Sequence, residues 1–343
     1  MKILGIETSC DNIGISIFDS IKNTFVFNKI FNQLIHKKYG GVVPNLASIH
    51  HSNNIYEYFK KTIKKYNINI NNDIDCIACT AGPGLFGSLV IGSCFSKSLS
   101  YSIKKPFYEI NHLEGHLLSS LIYKKYNINK IFPFISLIIS GGNTKLIFSE
   151  KIGNYKIIGE TLDDSIGEII DKIAKKLKLN YPGGPEIYKL SKFGTENIYK
   201  FPIPIINNNN LNFSFSGLKT YIINIIDKYK KIDNRLKYNI SLELQNTLSN
   251  ILIKKSFNSL KKFNVKTLLI SGGVSSNIFI RKKFKTFFKG KNIKIFFPKI
   301  RFCTDNGAMI AYACYMNILY NKYYFPNNKL NIFINTKWSI ENV

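Results

Sequence analysis

Ile6-Glu-Thr-Ser-Cys-Asp11 running into Gly14-Ile-Ser-Ile17, and Leu137-Ile-Ile-Ser-Gly-Gly-Asn-Thr-Lys145 running into Leu146-Ile-Phe148, are two copies of one arrangement: an apolar strand, a polar turn and a second strand. Each copy heads a longer series. In the first, strands at Ile3–Thr8, Gly14–Phe18 and Thr24–Ile30 precede an amphipathic helix at Ile55–Tyr66 and a buried strand at Ile74–Thr80. The glycine turn Ala81-Gly-Pro-Gly-Leu-Phe-Gly87 then opens a helix to about Tyr101, and Pro106–Ile110 is a further strand. In the second, strands at Phe134–Ser140, Thr144–Ser149 and Tyr155–Glu160 precede a helix at Ser165–Leu177 and a long helical stretch at Ile240–Phe263. Strand Thr267–Ser271, a helix from Asn277, strand Ile293–Phe297 and a last helix at about Thr304–Tyr320 complete it. Three strands followed by helix, strand and helix, seen twice, predict a duplicated α/β fold of two lobes with a cleft between them. The asparagine-rich run Ile206–Asn212 reads as a surface loop.

At 343 residues and 45% hydrophobic content the chain can bury a large core. No stretch approaches 18 uninterrupted apolar residues, so no membrane-spanning helix is expected. The opening strand leaves no room for a secretory signal, and the six scattered cysteines form no disulfide framework, so a reducing cytosol is the expected compartment. Cys76 and Cys79 form a CxxC inside a strand, where residues three apart face opposite sides, and they read as packing cysteines. The formal charge of +27 points to a polyanionic partner. It has a competing explanation: of 48 basic residues only Arg235, Arg281 and Arg301 are arginine, leaving 45 lysines, as an AT-rich genome would dictate.

The glycine turns carry a chemical signal of their own. Leu137–Lys145, Leu269-Ile-Ser-Gly-Gly-Val-Ser-Ser-Asn277 and Pro182-Gly-Gly-Pro185 all place glycines beside a strand end or helix start. Backbone N–H groups in such turns approach phosphate closely, which points to a nucleotide. Glu168 and Asp171 share a helix face, and Asp171 is either a ribose ligand or part of a solvated face. Phe213-Ser-Phe-Ser-Gly-Leu-Lys-Thr220 either binds an anion or stacks on a base, or it caps a helix.

His112 and His116, in Asn111-His-Leu-Glu-Gly-His116, fall four apart on an expected helix at His112–Tyr123, and so on one face. Two imidazoles so placed can grip one transition metal, and Asp305 in Cys303-Thr-Asp-Asn-Gly-Ala-Met309 offers a carboxylate. The alternative readings are a polar helix face and a plain N-cap at Thr304-Asp-Asn. A metallopeptidase needs glutamate directly after the first histidine; Leu113 stands there, and Glu114 would point away from the shared face.

Together these segments resemble the TsaD family, the tRNA N6-adenosine threonylcarbamoyltransferases. The resemblance rests on Gly5-Ile-Glu-Thr-Ser-Cys-Asp11, Tyr39-Gly-Gly-Val-Val-Pro44, Thr80-Ala-Gly-Pro-Gly-Leu85, Asn111–His116, Tyr181-Pro-Gly-Gly-Pro185, Phe213–Thr220 and Cys303–Ala311. It implies an actin/Hsp70-like (ASKHA) fold, a duplicated ribonuclease-H-like pair of lobes, divided as 1–110 plus 304–343 and 111–303. The second of these would carry most of the nucleotide and acyl site. The implied reaction moves threonylcarbamoyl from threonylcarbamoyl-AMP to N6 of adenosine 37 in tRNAs reading codons that begin with adenine. By the same resemblance His112, His116 and Asp305 hold one divalent metal, iron(II) with zinc or magnesium as alternatives. Ile138, Ile139, Ser140, Gly141, Gly142, Asp171, Gly184 and Asn277 would line the adenylate and acyl site. Implied partners are tRNA, a TsaB-like paralogue, a TsaE-like small ATPase and a TsaC-like synthase, in the cytoplasm and without a membrane. The chain departs from the family at Asn12 and Asn143, where glutamate and histidine are usual. A non-catalytic metal- and nucleotide-binding scaffold subunit is the competing reading.

Overall fold

Strand order repeats across two sheets. The computed structural model describes residues 1–123, 130–203, 210–320 and 331–343. Strands β1 (Lys2–Glu7), β2 (Asn12–Asp19), β3 (Thr24–Asn32), β4 (Cys76–Gly82) and β5 (Phe107–Asn111) form one five-stranded sheet in the order β3-β2-β1-β4-β5. Strands β6 (Phe134–Ile139), β7 (Thr144–Lys151), β8 (Asn154–Glu160), β9 (Thr267–Ser271) and β10 (Lys294–Phe296) form another, in the order β10-β9-β6-β7-β8. Read from opposite ends, the two orders coincide. In each, the first strand pairs antiparallel with the second and parallel with the fourth, and the fourth pairs parallel with the fifth. The expected duplication is therefore present in hydrogen-bonded register, in two mixed α/β sheets.

The chain divides into two compact units, Met1–Tyr126 with Lys151–Tyr155 and Pro298–Val343, and Asn127–Glu150 with Lys156–Phe297. The sequence reading drew its boundaries at 110 and 304. Helix α4 (His112–Ser119) lies in the first unit because it packs on α10 (Gly307–Leu319) and follows directly from β5. Helix α4 is also shorter than the expected His112–Tyr123. Ser119 turns its hydroxyl back to the carbonyl of His116, and two serines close the helix.

In the first unit the strands are apolar on both faces, with Ile3, Leu4, Ile6, Ile13, Ile15 and Ile17 all fully buried. Helices α1 (Pro44–Lys65) and α3 (Phe86–Ser102) pack together, with a short α2 (Ile70–Asp73) between them in sequence. Helix α1 begins eleven residues before the expected start. Pro44 at its first position is compatible with a helix start, and the polar stretch that follows conceals the periodicity. Cys76 and Cys79 are buried and free, Cys76 beside Cys314 of α10 and Cys79 beside Ser96 and Ser93 of α3, which bears out their opposite facings.

The second unit inserts α5 (Ile166–Lys176), α6 (Gly183–Ser191), α7 (Ser216–Asp227) and α8 (Asn234–Lys262) between β8 and β9, and α9 (Ile278–Phe288) between β9 and β10. Phe213 and Phe215 are buried and stacked at 5.9 Å, Ser214 donates to Asp163, and Lys219 pairs with Asp164. This segment is thus packed into the core, and its rings are not available to stack on a base. Of the run Ile206–Asn212, residues 206–209 lie outside the described residues, while Leu211 is buried in the core. Among the described residues no helix is long and apolar enough to cross a membrane.

Candidate metal centre and glycine turns

Helix α4 starts on Asn111, whose side-chain oxygen accepts from the N–H groups of Leu113 and Glu114. The cap fixes the first turn, and the four-residue spacing then sets the imidazoles of His112 and His116 at 4.7 Å between centroids. Asp305 reaches them because α10 starts later than Thr304. Asn306 is the cap, accepting from Met309 N–H, so Asp305 stays outside the helix. Gly307 brings that end against the sheet: a Cβ there would lie 2.5 Å from the carbonyl oxygen of Gly5. Only glycine permits so close an approach.

The three side chains converge. Asp305 Oδ1 lies 3.0 Å from His116 Nε2 and 3.7 Å from His112 Nε2. One ligand atom from each of the three lies within 4.8 Å of the others. Ligands bound to one ion at about 2.1 Å sit roughly 3.0–3.5 Å apart, so little movement separates this arrangement from coordination. Asp305 is 24% exposed while His116 is fully buried, so the open side of the group is the carboxylate side.

Glu7 is a candidate site residue that the sequence reading did not single out. It is fully buried at the end of β1, and its Oε2 lies 3.2 Å from His112 Nδ1. Ser9 Oγ lies 3.0 Å from the same nitrogen. The remaining capacity of the carboxylate is taken by Ser9 N–H at 2.6 Å and by the Thr80 hydroxyl. With Nδ1 turned to Glu7, His112 points Nε2 toward Asp305 as the nitrogen it can offer to a metal; a carboxylate behind a ligating histidine is the usual support for a metal. The signal in the sequence was an acid inside an otherwise apolar strand. Two imidazoles and one carboxylate, with the other side open, fit a divalent transition metal.

The charges agree with the geometry. Burial acts to lower the His112 pKa, but the charges of Glu7 and Asp305 and the Glu7 hydrogen bond outweigh it and raise it to about 9. Burial likewise acts to raise Asp305, and the two histidines overcome it, holding the carboxyl at about 2. Glu114 accepts from the Tyr155 hydroxyl at 3.0 Å and from Asn317 Nδ2 at 2.8 Å. It faces away from the histidine group, as its helix position predicts.

The other expected residues all lie in the second unit. Ile138 and Ile139 are buried at the end of β6. Ser140, Gly141 and Gly142 form the turn to β7, closed by Ser140 N–H to Asn143 O at 2.8 Å, and a Cβ on either glycine would meet nothing within 4 Å. Asn143 closes this turn through its backbone. Asp171 on α5 accepts from Gly183 N–H at 2.7 Å at the start of α6, where Gly184 also lies. Asn277 follows β9, the strand beside β6, but its Oδ1 caps α9 and its Nδ2 donates to Gln245.

The family model described as TsaD, tRNA N6-adenosine threonylcarbamoyltransferase, matches residues 24–312. The chain belongs to this family. Its relatives include the tRNA N6-adenosine threonylcarbamoyltransferase of Wigglesworthia glossinidia brevipalpis, 46% identical over 100% of this chain and 98% of that one. That of Thermosipho africanus (strain TCF52B) is 43% identical over 98% of this chain and 100% of its own. Among solved structures, HypF of T. kodakarensis superposes with a TM-score of 0.63 at 12% identity, over 94% of this chain and 48% of that one. Component A of (R)-2-hydroxyglutaryl-CoA dehydratase from Acidaminococcus fermentans does so at 0.52 and 14%, over 92% and 97%. These likenesses show the actin/Hsp70-like fold; TsaD membership makes the chain a transferase of the acyl-transferring kind.

Proposed function

We propose that this protein transfers threonylcarbamoyl from threonylcarbamoyl-AMP to N6 of adenosine 37 in tRNAs that read codons beginning with adenine. The observation that carries the reading is the convergence of His112, His116 and Asp305, backed by Glu7, in a chain of the TsaD family. In the reaction the N6 amine attacks the carbamoyl carbon. A C–N bond forms, the bond from that carbon to the phosphate oxygen breaks, AMP departs and N6 loses a proton. His112, His116 and Asp305 would hold a divalent metal, iron(II) in this reading and zinc or magnesium otherwise, which when bound supplies Lewis-acid polarisation of the carbonyl.

The chain's own groups account for the rest. Glu7 keeps the proton on His112 Nδ1 and fixes the ring. The turn at Gly141 and Gly142, with nothing within 4 Å of where a Cβ would lie, leaves room for the phosphate that leaves with AMP to approach the backbone. Asp171, pushed up by burial and partly restored by Gly183 N–H, would with Gly184 receive a ribose hydroxyl. A weakly nucleophilic amine then needs chiefly to be positioned against the carbonyl. The reading extends to a cytoplasmic setting with a TsaB-like paralogue, a TsaE-like ATPase and a TsaC-like synthase.

The test is nucleoside analysis of tRNA from a TsaD-depleted cell carrying this gene. Threonylcarbamoyladenosine should return. If it stays absent while the protein is folded and binds metal, the scaffold reading replaces this one, with Asn12 and Asn143 as the places where catalysis was lost.

A further inference from the structure

Five residues ahead of Asp305, the chain leaves β10's connection as a short 3-10 turn at Ile300–Phe302, just before the carboxylate of the His112–His116–Asp305 group. Its side chains divide sharply. Phe302 and Cys303 are buried, while Lys299, Ile300, Arg301 and Thr304 are exposed. The two cations are not loose. Lys299 Nζ lies 4.6 Å from the centroid of the Tyr123 ring, and the Arg301 guanidinium lies 5.7 Å from the same ring and 4.8 Å from that of Phe302. Tyr123 is itself anchored: its hydroxyl accepts from Phe25 N–H at 3.3 Å, and its ring packs edge-on against Phe25 at 5.7 Å.

Two like charges therefore share one aromatic platform, and among the described residues no carboxylate pairs with either. A convergent, unneutralised pair of cations suits a phosphate, and the planar guanidinium suits its oxygens in a way an ammonium does not. In a chain with 45 lysines and three arginines, an exposed arginine stacked on two rings is an exception to the prevailing usage. Arg281, by contrast, is used inside the fold, donating to Ser275 O at 2.6 Å and lying over Phe297.

We propose that Lys299 and Arg301 seat a backbone phosphate of the substrate RNA, within one or two nucleotides of the base presented to the His112–His116–Asp305 group. The proposal rests on the reading of this chain as a tRNA-modifying enzyme. Arg301 stands four positions before Asp305, so their Cα atoms lie no more than about 14 Å apart even in extended chain. A phosphate held there stays close to the acceptor nucleotide. Stacking beforehand also limits the side-chain freedom lost when RNA binds.

The experiment compares wild type, K299E/R301E, R301K and a control of equal charge change on a distant helix end, K64E/K65E. Unmodified substrate tRNA is titrated by fluorescence anisotropy across a range of salt, followed by steady-state kinetics. K299E/R301E should weaken tRNA binding at least tenfold, flatten the salt slope by about one to two, and raise KM for tRNA without changing KM for the adenylate or the metal content. R301K should fall between this variant and wild type, and K64E/K65E should leave KM for tRNA close to wild type. An unchanged Kd in K299E/R301E, or an equal loss in K64E/K65E, overturns the seat in favour of bulk charge. A rise in KM for the adenylate alone assigns the pair to the donor's phosphate and also overturns it. A wild type that neither binds nor modifies tRNA overturns the functional reading itself, and the seat with it.

Discussion

The turns that follow the first strand of each sheet have the same place in the topology and opposite contents. After β1, Glu7 and Ser9 are buried and bonded to each other, to Thr80 and to His112. After β6, Gly141 and Gly142 are exposed, and no atom approaches the space their Cβ atoms would fill. A duplicated backbone thus carries two kinds of turn: one whose side chains are locked to one another, and one whose glycines leave open space beside the backbone. Substitution should cost function by different routes at the two turns.

The largest effect is expected at the ligand group. His116→Ala should abolish stoichiometric metal and lower tRNA modification by more than about a hundredfold, while circular dichroism shows a folded chain. Next comes Glu7→Gln, which keeps the volume and one acceptor but loses the charge behind His112. Metal affinity should fall about 10- to 100-fold by competition with a chelating dye. Were Glu7 merely a packing residue, affinity would not change and only stability would.

The charges at the first turn also predict a pH dependence that the second lacks. His112 is raised from 6.5 to about 9, with burial opposing and Glu7 and Asp305 prevailing. A raised histidine stabilises the fold fully below its unfolded value, and the contribution is lost as pH rises through the folded one. Metal-free protein should therefore melt at a lower temperature at pH 9.5 than at pH 6.5. Since metal must displace that proton, affinity should weaken about tenfold for each pH unit below 9.

At the second turn, stability and binding should separate. Gly167→Ala would set a Cβ 2.5 Å from Ser140 O and 2.7 Å from Gly141 Cα, and should destabilise the fold by about 2 kcal/mol in denaturant titration. Gly142→Ala meets no such obstacle and should stay within about 0.5 kcal/mol, yet weaken AMP binding measured by calorimetry. The smallest effect is expected from Asn143→His, which restores the family's usual side chain. It should leave the melting temperature unchanged, because Asn143 closes its turn through the backbone, and any gain should appear only in turnover.

Much of this was legible because it is local. Apolar strands, glycine turns and the four-residue histidine spacing are written in short windows, and the duplication is their repetition. Asp305 was recognisable from the residues as a candidate carboxylate and, through the family resemblance, as an implied ligand, but its approach to the two histidines was not legible. Its availability depends on Asn306 taking the cap, one residue's difference in where α10 begins. Glu7 was harder still, since its partner lies 105 residues away and only the pairing of β1 with β4 and of β4 with β5 brings them together. Phe213 and Phe215 left two readings open. Aromatic and hydroxyl residues in alternation look alike whether the rings stack on a base or on each other, and here they are buried.

The most direct test of the metal centre is anomalous diffraction at the iron edge from crystals of protein reconstituted with iron(II) and shown to modify tRNA. A single peak within bonding distance of His112 Nε2, His116 Nε2 and Asp305 is the predicted result. An active enzyme with no peak there, or with its peak elsewhere, would contradict the account.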